Sequence, residues 1–382
     1  MINIAFIIGT RPEIVKCAPL YAALQEDKNF CPRIIATGQH REMADETFEA
    51  FGIIPQINLG IMRAGQSLTQ VTQRALEGLD ATVVPGELDA VIVHGDTAST
   101  LAGAIYAFQN RIPLIHVEAG LRSHHAGSPF PEEANRKLVG QIANLHLAPT
   151  EGARANLLRE GIHSDAIFVT GNTVVDALQN FISNNRTPRS EQIEFIVSRQ
   201  KPIIIASAHR REGWHDLAEV ASALREIARL NDVSLVVPLH KNPIVREAFV
   251  PALSGLENVF LIEPLSYPEY VDLLNNSSLI ISDSSGAEEE GPTLGIRTLV
   301  LRTVTERPEA VSTGVAKLTG RDLKSILNNA TDALVEIHNQ GDRVHLGQPY
   351  GDGNASARCV AAIAKYFGKL PADHIAYQWS II

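Results

Sequence analysis

The chain is short of cysteine. Cys17, Cys31 and Cys359 are its only three in 382 residues, too few and too scattered for a disulfide framework or a close-spaced metal site. They fit a reducing cytoplasm. Neither His-x-x-x-His nor Cys-x-x-Cys occurs, so no resident metal is expected. Positive charge is also scarce: 33 Lys and Arg stand against 43 Asp and Glu, a net charge of -10. That balance disfavours wrapping nucleic acid. No apolar run approaches the ~20 residues that span a bilayer. The opening Met1–Phe6 reads as a strand start, without the basic segment and cleavage site of a leader. The first glycine turn, Gly9, fits neither G-x-G-x-x-G nor a Walker loop, which leaves nicotinamide and ATP sites unsupported.

What the chain does have is length and apolar content (45%) for two hydrophobic cores. Short apolar runs alternate with helical patterns throughout, which predicts α/β domains with parallel sheets. The organising stretch is 90–136. Strands are expected at Ala90–Val93 and Pro113–Val117, with a helix at Ser99–Gln109 between them. Ligands of open parallel sheets bind beyond the carboxyl ends of the strands. Asp96 follows the first strand and Glu118 the second, and Glu132-Glu133 follows a loop with Pro129 and Pro131. Three acidic positions at one rim suit acid–base chemistry. The bland alternatives are that Asp96 caps a helix and Glu118 pairs with Arg122. Earlier, Ile2–Ile8 runs into Gly9-Thr10-Arg11-Pro12-Glu13, a strand followed by a helix start suited to an anion, flanked by Arg11 and Lys16. Lys16 has a plainer role available, pairing with Glu13 on a helix surface. Further strands are expected at Arg33–Thr37, Leu145–Ala148 and Ile167–Thr170, with helices at Leu68–Leu79 and Glu151–Glu160.

Residues 183–200 are polar and place the domain linker. Beyond it, strands are expected at Ile203–Ala206, Leu235–Pro238, Val259–Ile262, Leu279–Ile281 and Thr298–Leu301. Their ends carry His209-Arg210-Arg211-Glu212, His240-Lys241, Asp283-Ser284-Ser285-Gly286 and Thr305-Glu306-Arg307-Pro308-Glu309. Ser284-Ser285-Gly286 ahead of Glu288-Glu289-Glu290 reads as a second anion-type helix start. Glu290, one turn in, is placed to accept both hydroxyls of a ribose. The expected architecture is two doubly wound α/β domains facing a central cleft, one wall acidic and the other basic. The boundaries are 1–182 (sugar side, catalytic acids), 183–355 (nucleotide binding), and 356–382, a helix and apolar tail packing back on the body. A nucleoside diphosphate linked to a neutral sugar suits that cleft, its diphosphate neutralised by Arg, Lys, His and helix N-termini.

The motifs together resemble the non-hydrolysing UDP-N-acetylglucosamine 2-epimerases. The matching segments are Gly9–Glu13 with Lys16, Gln39-His40-Arg41-Glu42, His94–Thr97, His116–Arg122, Pro131–Arg136, Gly171-Asn172-Thr173, His209–Glu212, Asp283-Ser284, Thr305–Glu309 and Tyr350–Gly353. They span nearly the whole chain in the family's order. The resemblance implies the Rossmann-like, GT-B-like two-domain fold shared with many glycosyltransferases. It implies inversion at C2 of the sugar by anti elimination of UDP and re-addition, with UDP kept on the enzyme and no added cofactor. Asp96, Glu118 and Glu132 take the acid–base roles and His209 assists the diphosphate. Arg11, Lys16, Arg136, Asn172, Arg210, His240, Ser284, Ser285, Gly286, Glu290 and Arg307 hold the substrate. The partners implied are a UDP-sugar and a second copy of the chain, in the cytoplasm, with no nucleic acid and no membrane.

The chain departs from the family pattern at three places. Ser285 replaces one of two glycines, Glu288 replaces a Gln, and Ala208 replaces a Gly before the histidine. Ser207-Ala208-His209 resembles relatives acting on diacetamido uronic acid sugars, whereas Pro129–Glu133 matches the plain N-acetylglucosamine type. Three other readings stay open: a hydrolysing 2-epimerase releasing free sugar and UDP, a glycosyltransferase of the same architecture, and a non-catalytic nucleotide-sugar sensor.

Overall fold

The computed structural model describes residues 1–38, 41–63, 65–125, 127–184, 189–344 and 347–370. Gln39 and His40 of the 39–42 motif, and the apolar tail at 371–382, lie outside the described residues. The chain divides into two compact units. One is Met1–Gln179 together with the chain from Tyr350 onward, and the other is Asn180–Pro349.

In the first unit the strands are β1 (Ile2–Ile8), β2 (Phe30–Ala36), β3 (Ile57–Asn58), β4 (Ala90–His94), β5 (Leu114–Val117), β6 (Leu145–Ala148) and β7 (Ile167–Val169). The helices between them are α1 (Arg11–Glu26), α2 (Arg41–Ala50), α3 (Leu68–Thr82), α4 (Ala98–Gln109), α5 (Glu132–Ile142) and α6 (Glu151–Arg159). Helix α7 (Thr173–Asn184) leads out of the unit. The sheet is parallel in the order β3-β2-β1-β4-β5-β6-β7. Both faces are covered, which is why β1, β4 and β5 read as mostly apolar runs rather than alternating ones. In α3, Val71, Ala75 and Leu79 fall at four-residue spacing and form the buried stripe. Ser67 accepts a hydrogen bond from the Gln70 amide at its start.

The second unit opens with α8 (Glu191–Ser198). It continues with β8 (Ile203–Ser207), α9 (Leu217–Leu230), β9 (Ser234–Pro238), α10 (Pro243–Leu253), β10 (Val259–Ile262), α11 (Tyr267–Asn275) and β11 (Leu279–Ser282). It closes with α12 (Ser285–Thr293), β12 (Arg297–Val300), α13 (Pro308–Ser312), β13 (Ala316–Leu318) and α14 (Leu323–Gln340). Its parallel order is β10-β9-β8-β11-β12-β13. Renumbered within each unit, both sheets contain the Rossmann order 3-2-1-4-5-6. Each therefore reverses direction once, between β1 and β4 and between β8 and β11. Those two crevices are where ligands of such sheets bind.

The domain boundaries differ from the sequence expectation at both ends. The division falls inside α7, between Gln179 and Asn180, rather than at 182/183, because the helix continues past the last contacts of the first unit. The polar stretch 183–200 is not bare linker either, since Ser190 caps α8. Residues 350–355, expected with the second domain, belong to the first. The Asn172 amide donates to the Tyr350 carbonyl at 2.7 Å. Asp176 accepts from the amides of Ala355 (3.2 Å) and Ser356 (2.7 Å) at the start of α15 (Ala355–Tyr366). Among the described residues no helix is long and apolar enough to cross a membrane.

Candidate active site

In the first unit the residues that matter leave the carboxyl ends of adjacent strands. β4 and β5 pair in register, His94 opposite Val117, so Asp96 and Glu118 emerge side by side. Neither plain alternative holds. The cap of α4 is Thr97, not Asp96, and Arg122 pairs with Glu160 at 2.7 Å rather than with Glu118. Glu118 sits at φ +61°. A left-handed backbone on a non-glycine costs about 1–3 kcal/mol and persists where its surroundings hold it. Here they do: Lys16 pairs with the Glu118 carboxylate, Asn172 Nδ2 donates to it at 3.0 Å, and His94 Nε2 lies 3.8 Å away. Lys16 and Glu118 are 5% and 8% exposed. Lys16 is thus committed to Glu118 and not to Glu13. Stripping one member of a buried pair of this kind typically costs about 3–5 kcal/mol.

Asp96 is half-buried and gripped by Arg136, whose Nε donates to Oδ2 at 2.8 Å and whose Nη2 lies 2.6 Å from it. Asn135 Nδ2 donates to the Asp96 carbonyl at 2.8 Å. Both partners lie on α5. The same helix opens on Glu132, half-buried. Its neighbour Glu133 has another role: it is fully buried, accepts from the Ser123 amide and pairs with Arg136 at 3.1 Å. The first unit thus joins Asp96 with Arg136, and Glu118 with Lys16 and Asn172. Arg11 is the first residue of α1, partly exposed beside these loops.

In the second unit the hub is Asp283, fully buried after β11. Its carboxylate accepts from the His209 and Arg210 amides at 3.1 Å each, and from Arg321 Nη1 at 3.0 Å. It thereby ties the end of β8 to the end of β11 across the sheet's reversal. His209 keeps a partly exposed ring stacked on that of His240, centroids 5.1 Å apart. Arg321 also donates to the Gly213 carbonyl at 2.9 Å. A side chain at Gly213 would place its Cβ 2.1 Å from Arg321 Cζ, so the guanidinium takes the space that only glycine leaves. Ser284 is the N-cap residue of α12, and Ser285 and Gly286 are its first two residues. Ser285 is helical and not left-handed, so it stands at no position that demands glycine.

The three glutamates of α12 divide their work. Glu288 is buried and binds Arg302 (2.9 Å) and the Thr305 hydroxyl. Glu289 binds Arg307 Nε at 2.6 Å. Glu290 turns toward the helix start, with Oε2 3.3 Å from where a Cβ on Gly286 would sit. Arg307 is 3% exposed and also pairs with Glu306, which in turn holds Arg302 and lies 3.9 Å from Arg210. Arg307 is therefore placed in a buried ion network with Glu289 and Glu306. Arg210, at 18% side-chain exposure, is the more open of the two arginines.

Three positions escaped the sequence reading. The sequence gives Glu13 a place in the Gly9–Glu13 motif and a pairing with Lys16, and gives Asp283 a motif but no role. Arg321 gives no local signal, since its partners are 38 and 108 residues away in sequence.

Residues 22–364 match the family model described as UDP-N-acetylglucosamine 2-epimerase. The UDP-N-acetylglucosamine 2-epimerase of Salmonella typhimurium is 44% identical over 367 residues, covering 94% of this chain and 98% of that protein. Among solved structures, the UDP-GlcNAc 2-epimerase of Neisseria meningitidis bound to UDP-GlcNAc is 38% identical. It superposes with a TM-score of 0.90 over 95% of this chain and 100% of that one. At the level of fold alone, likeness extends to the GT-B protein MurG of Acinetobacter baumannii. There the TM-score is 0.54 at 14% identity, over 96% of this chain and 100% of that one.

Proposed function

Since this chain belongs to the UDP-N-acetylglucosamine 2-epimerase family, we propose that it inverts C2 of UDP-N-acetylglucosamine reversibly, giving UDP-N-acetylmannosamine without net hydrolysis. The C2 hydrogen adjoins no carbonyl and is not acidic, so the reaction has to be driven by departure of the diphosphate. A carboxylate removes the C2 proton while the C1–O bond breaks, its electron pair leaving with UDP. The resulting 2-acetamidoglucal is planar at C2. A proton is then delivered to the other face and a diphosphate oxygen re-forms the bond at C1. Electrons balance without an oxidant, so no redox cofactor is required.

The observation that most supports this reading is the pairing at the ends of β4 and β5. There, two carboxylates follow adjacent strands, each paired with a different cation: Asp96 with Arg136 and Glu118 with Lys16. Two separately held acid–base groups are what inversion at one carbon needs, one for each face. Glu132, at the start of α5, is the third such group in this proposal. In the second unit, His209 and Arg210 assist the leaving diphosphate, with His240 beside them. The α12 start at Ser284, Ser285 and Gly286 binds it, and Glu290 takes the ribose. In the first unit, Arg11 at the start of α1 is the proposed anion ligand. Arg307 acts by fixing Glu289 and Glu306 rather than by touching the nucleotide. A homodimer is part of the proposal and is checked by light scattering.

Proton NMR of the purified protein with UDP-N-acetylglucosamine alone tests the reading. UDP-N-acetylmannosamine accumulating to a constant ratio, without free sugar, is the expected result. Free N-acetylmannosamine with stoichiometric UDP would assign the hydrolysing reaction instead. Unchanged UDP-N-acetylglucosamine, with conversion of a UDP-linked diacetamido uronic acid in a parallel sample, would move the substrate class.

A further inference from the structure

We infer that Glu13 is a positioning residue: it latches the two loops on either side of the first sheet's reversal, and so holds the segment that carries Asp96. This rests on the epimerase reading of Asp96 and extends it to a residue that touches no substrate.

The reversal lies between β1 and β4, whose following loops begin at Gly9 and Gly95. Glu13 stands in the first turn of α1, on the β1 side, and is 1% exposed. Oε2 accepts from the amides of Gly9 (3.0 Å) and Thr10 (2.7 Å), on its own side. Oε1 crosses to the other side and accepts from the Thr97 hydroxyl at 2.9 Å; the Thr100 hydroxyl is equally near, its single proton shared between Oε1 and the His94 carbonyl at 2.5 Å. Thr97 is the residue after Asp96 and the cap of α4. One carboxylate thus joins the starts of two helices that the topology only sets side by side.

All four donors are neutral. A carboxylate buried among neutral donors pays a desolvation cost that an apolar residue would avoid, and burial indeed pushes the Glu13 pKa up against the bonds that lower it. A helix cap alone would not need it, because capping boxes form at exposed sites at little cost. What the buried carboxylate adds is the bond across the reversal. The packing there is correspondingly tight: a Cβ on Gly9 would lie 2.1 Å from Ser99 Oγ of α4 and 2.8 Å from Thr37 Oγ1. Asp96 is then fixed from three directions: its carboxylate by Arg136, its carbonyl by Asn135, and its chain through Thr97 by Glu13.

Three variants test this: Glu13→Leu, Thr97→Val and Thr97→Ser. A Gln at this position would not serve, because its NH2 group can donate to the two hydroxyls while its oxygen keeps the Gly9 and Thr10 amides. Glu13→Leu removes both acceptor oxygens, so both sides of the latch open. Thr97→Val removes one crossing bond and the α4 cap, whereas Thr97→Ser keeps both. Wild-type turnover of UDP-N-acetylglucosamine is measured first; if it is absent, the epimerase reading fails, independently of the latch. With wild-type turnover in place, kcat should drop at least tenfold in Glu13→Leu and Thr97→Val. UDP affinity by calorimetry should stay within twofold, and Thr97→Ser should restore kcat. Should Glu13→Leu not fold, the two Thr97 variants carry the test by themselves. The latch is overturned if folded variants keep wild-type kcat, if the loss is entirely in UDP affinity, or if Thr97→Ser falls as far as Thr97→Val.

Discussion

In the proposed reaction the chemistry depends on Asp96, Glu118 and Glu132. Asp96→Asn, Glu118→Gln and Glu132→Gln should each lower kcat at least ~100-fold, the low end for lost acid–base catalysis, with UDP affinity little changed. Steady-state kinetics with calorimetry checks this, and a variant keeping more than a tenth of wild-type kcat leaves the chemical step. Arg307 should behave differently. Buried against Glu289 and Glu306, its loss strands two carboxylates, so Arg307→Ala is expected to destabilise the protein by about 3–5 kcal/mol. Urea denaturation reads that directly; an unchanged midpoint with weakened UDP binding would return Arg307 to the nucleotide. At this scale the placement was legible: Asp96, Glu118 and His209 each follow an apolar run and stand just beyond β4, β5 and β8. Partners were not legible. Lys16 pairs with Glu118, 102 residues away, and no spacing rule reaches that far.

Elements were legible where a short apolar run has polar residues at its ends. Ile2–Ile8, Leu145–Ala148 and Val259–Ile262 coincide with β1, β6 and the partly exposed edge strand β10, and most other expected strands are off by a residue or two. The two-residue β3 and the partly exposed, three-residue β13 escaped, being too short to show a period. β2 begins three residues before its expected start at Arg33, because Pro32 and exposed Cys31 disguise an edge of the run. The β5–β6 pair carries a further consequence. His116 and His146 lie opposite each other in register and are fully buried. The Gly95 carbonyl 2.8 Å from His116 Nε2 can only accept, so that nitrogen carries the proton. Burial pushes His116 down to about 3 and His146 to about 4. Folded values below the unfolded value mean that the unfolded chain takes up protons first. The stabilisation is complete above about pH 6.5 and is lost as pH falls toward those values. Each histidine contributes up to about 1.4 kcal/mol per pH unit in that window. Urea midpoints should therefore fall from pH 7 to pH 5, and less steeply in His146→Leu. Equal midpoints at both pH values would mean that the pair is not held neutral by the fold.

Across the whole molecule, both units repeat one sheet order, and in both a buried carboxylate bridges the loops at the reversal: Glu13 in the first, Asp283 in the second. The doubly wound class was legible from alternation alone, but this shared device was not, since it depends on which strands become neighbours. The boundary at 350 was hidden for the same reason: Tyr350–Gly353 follows the second unit in sequence, yet Asn172 and Asp176 hold the chain there to the first. The central claim, that C2 is inverted through loss and return of its proton with UDP retained, is tested most directly in heavy water. Incubation with UDP-N-acetylglucosamine, followed by mass and NMR analysis of both nucleotide sugars, should find one deuterium, at C2, in UDP-N-acetylmannosamine and progressively in the recovered substrate. UDP-N-acetylmannosamine formed without deuterium at C2, or deuterium appearing only in released free sugar, would contradict it.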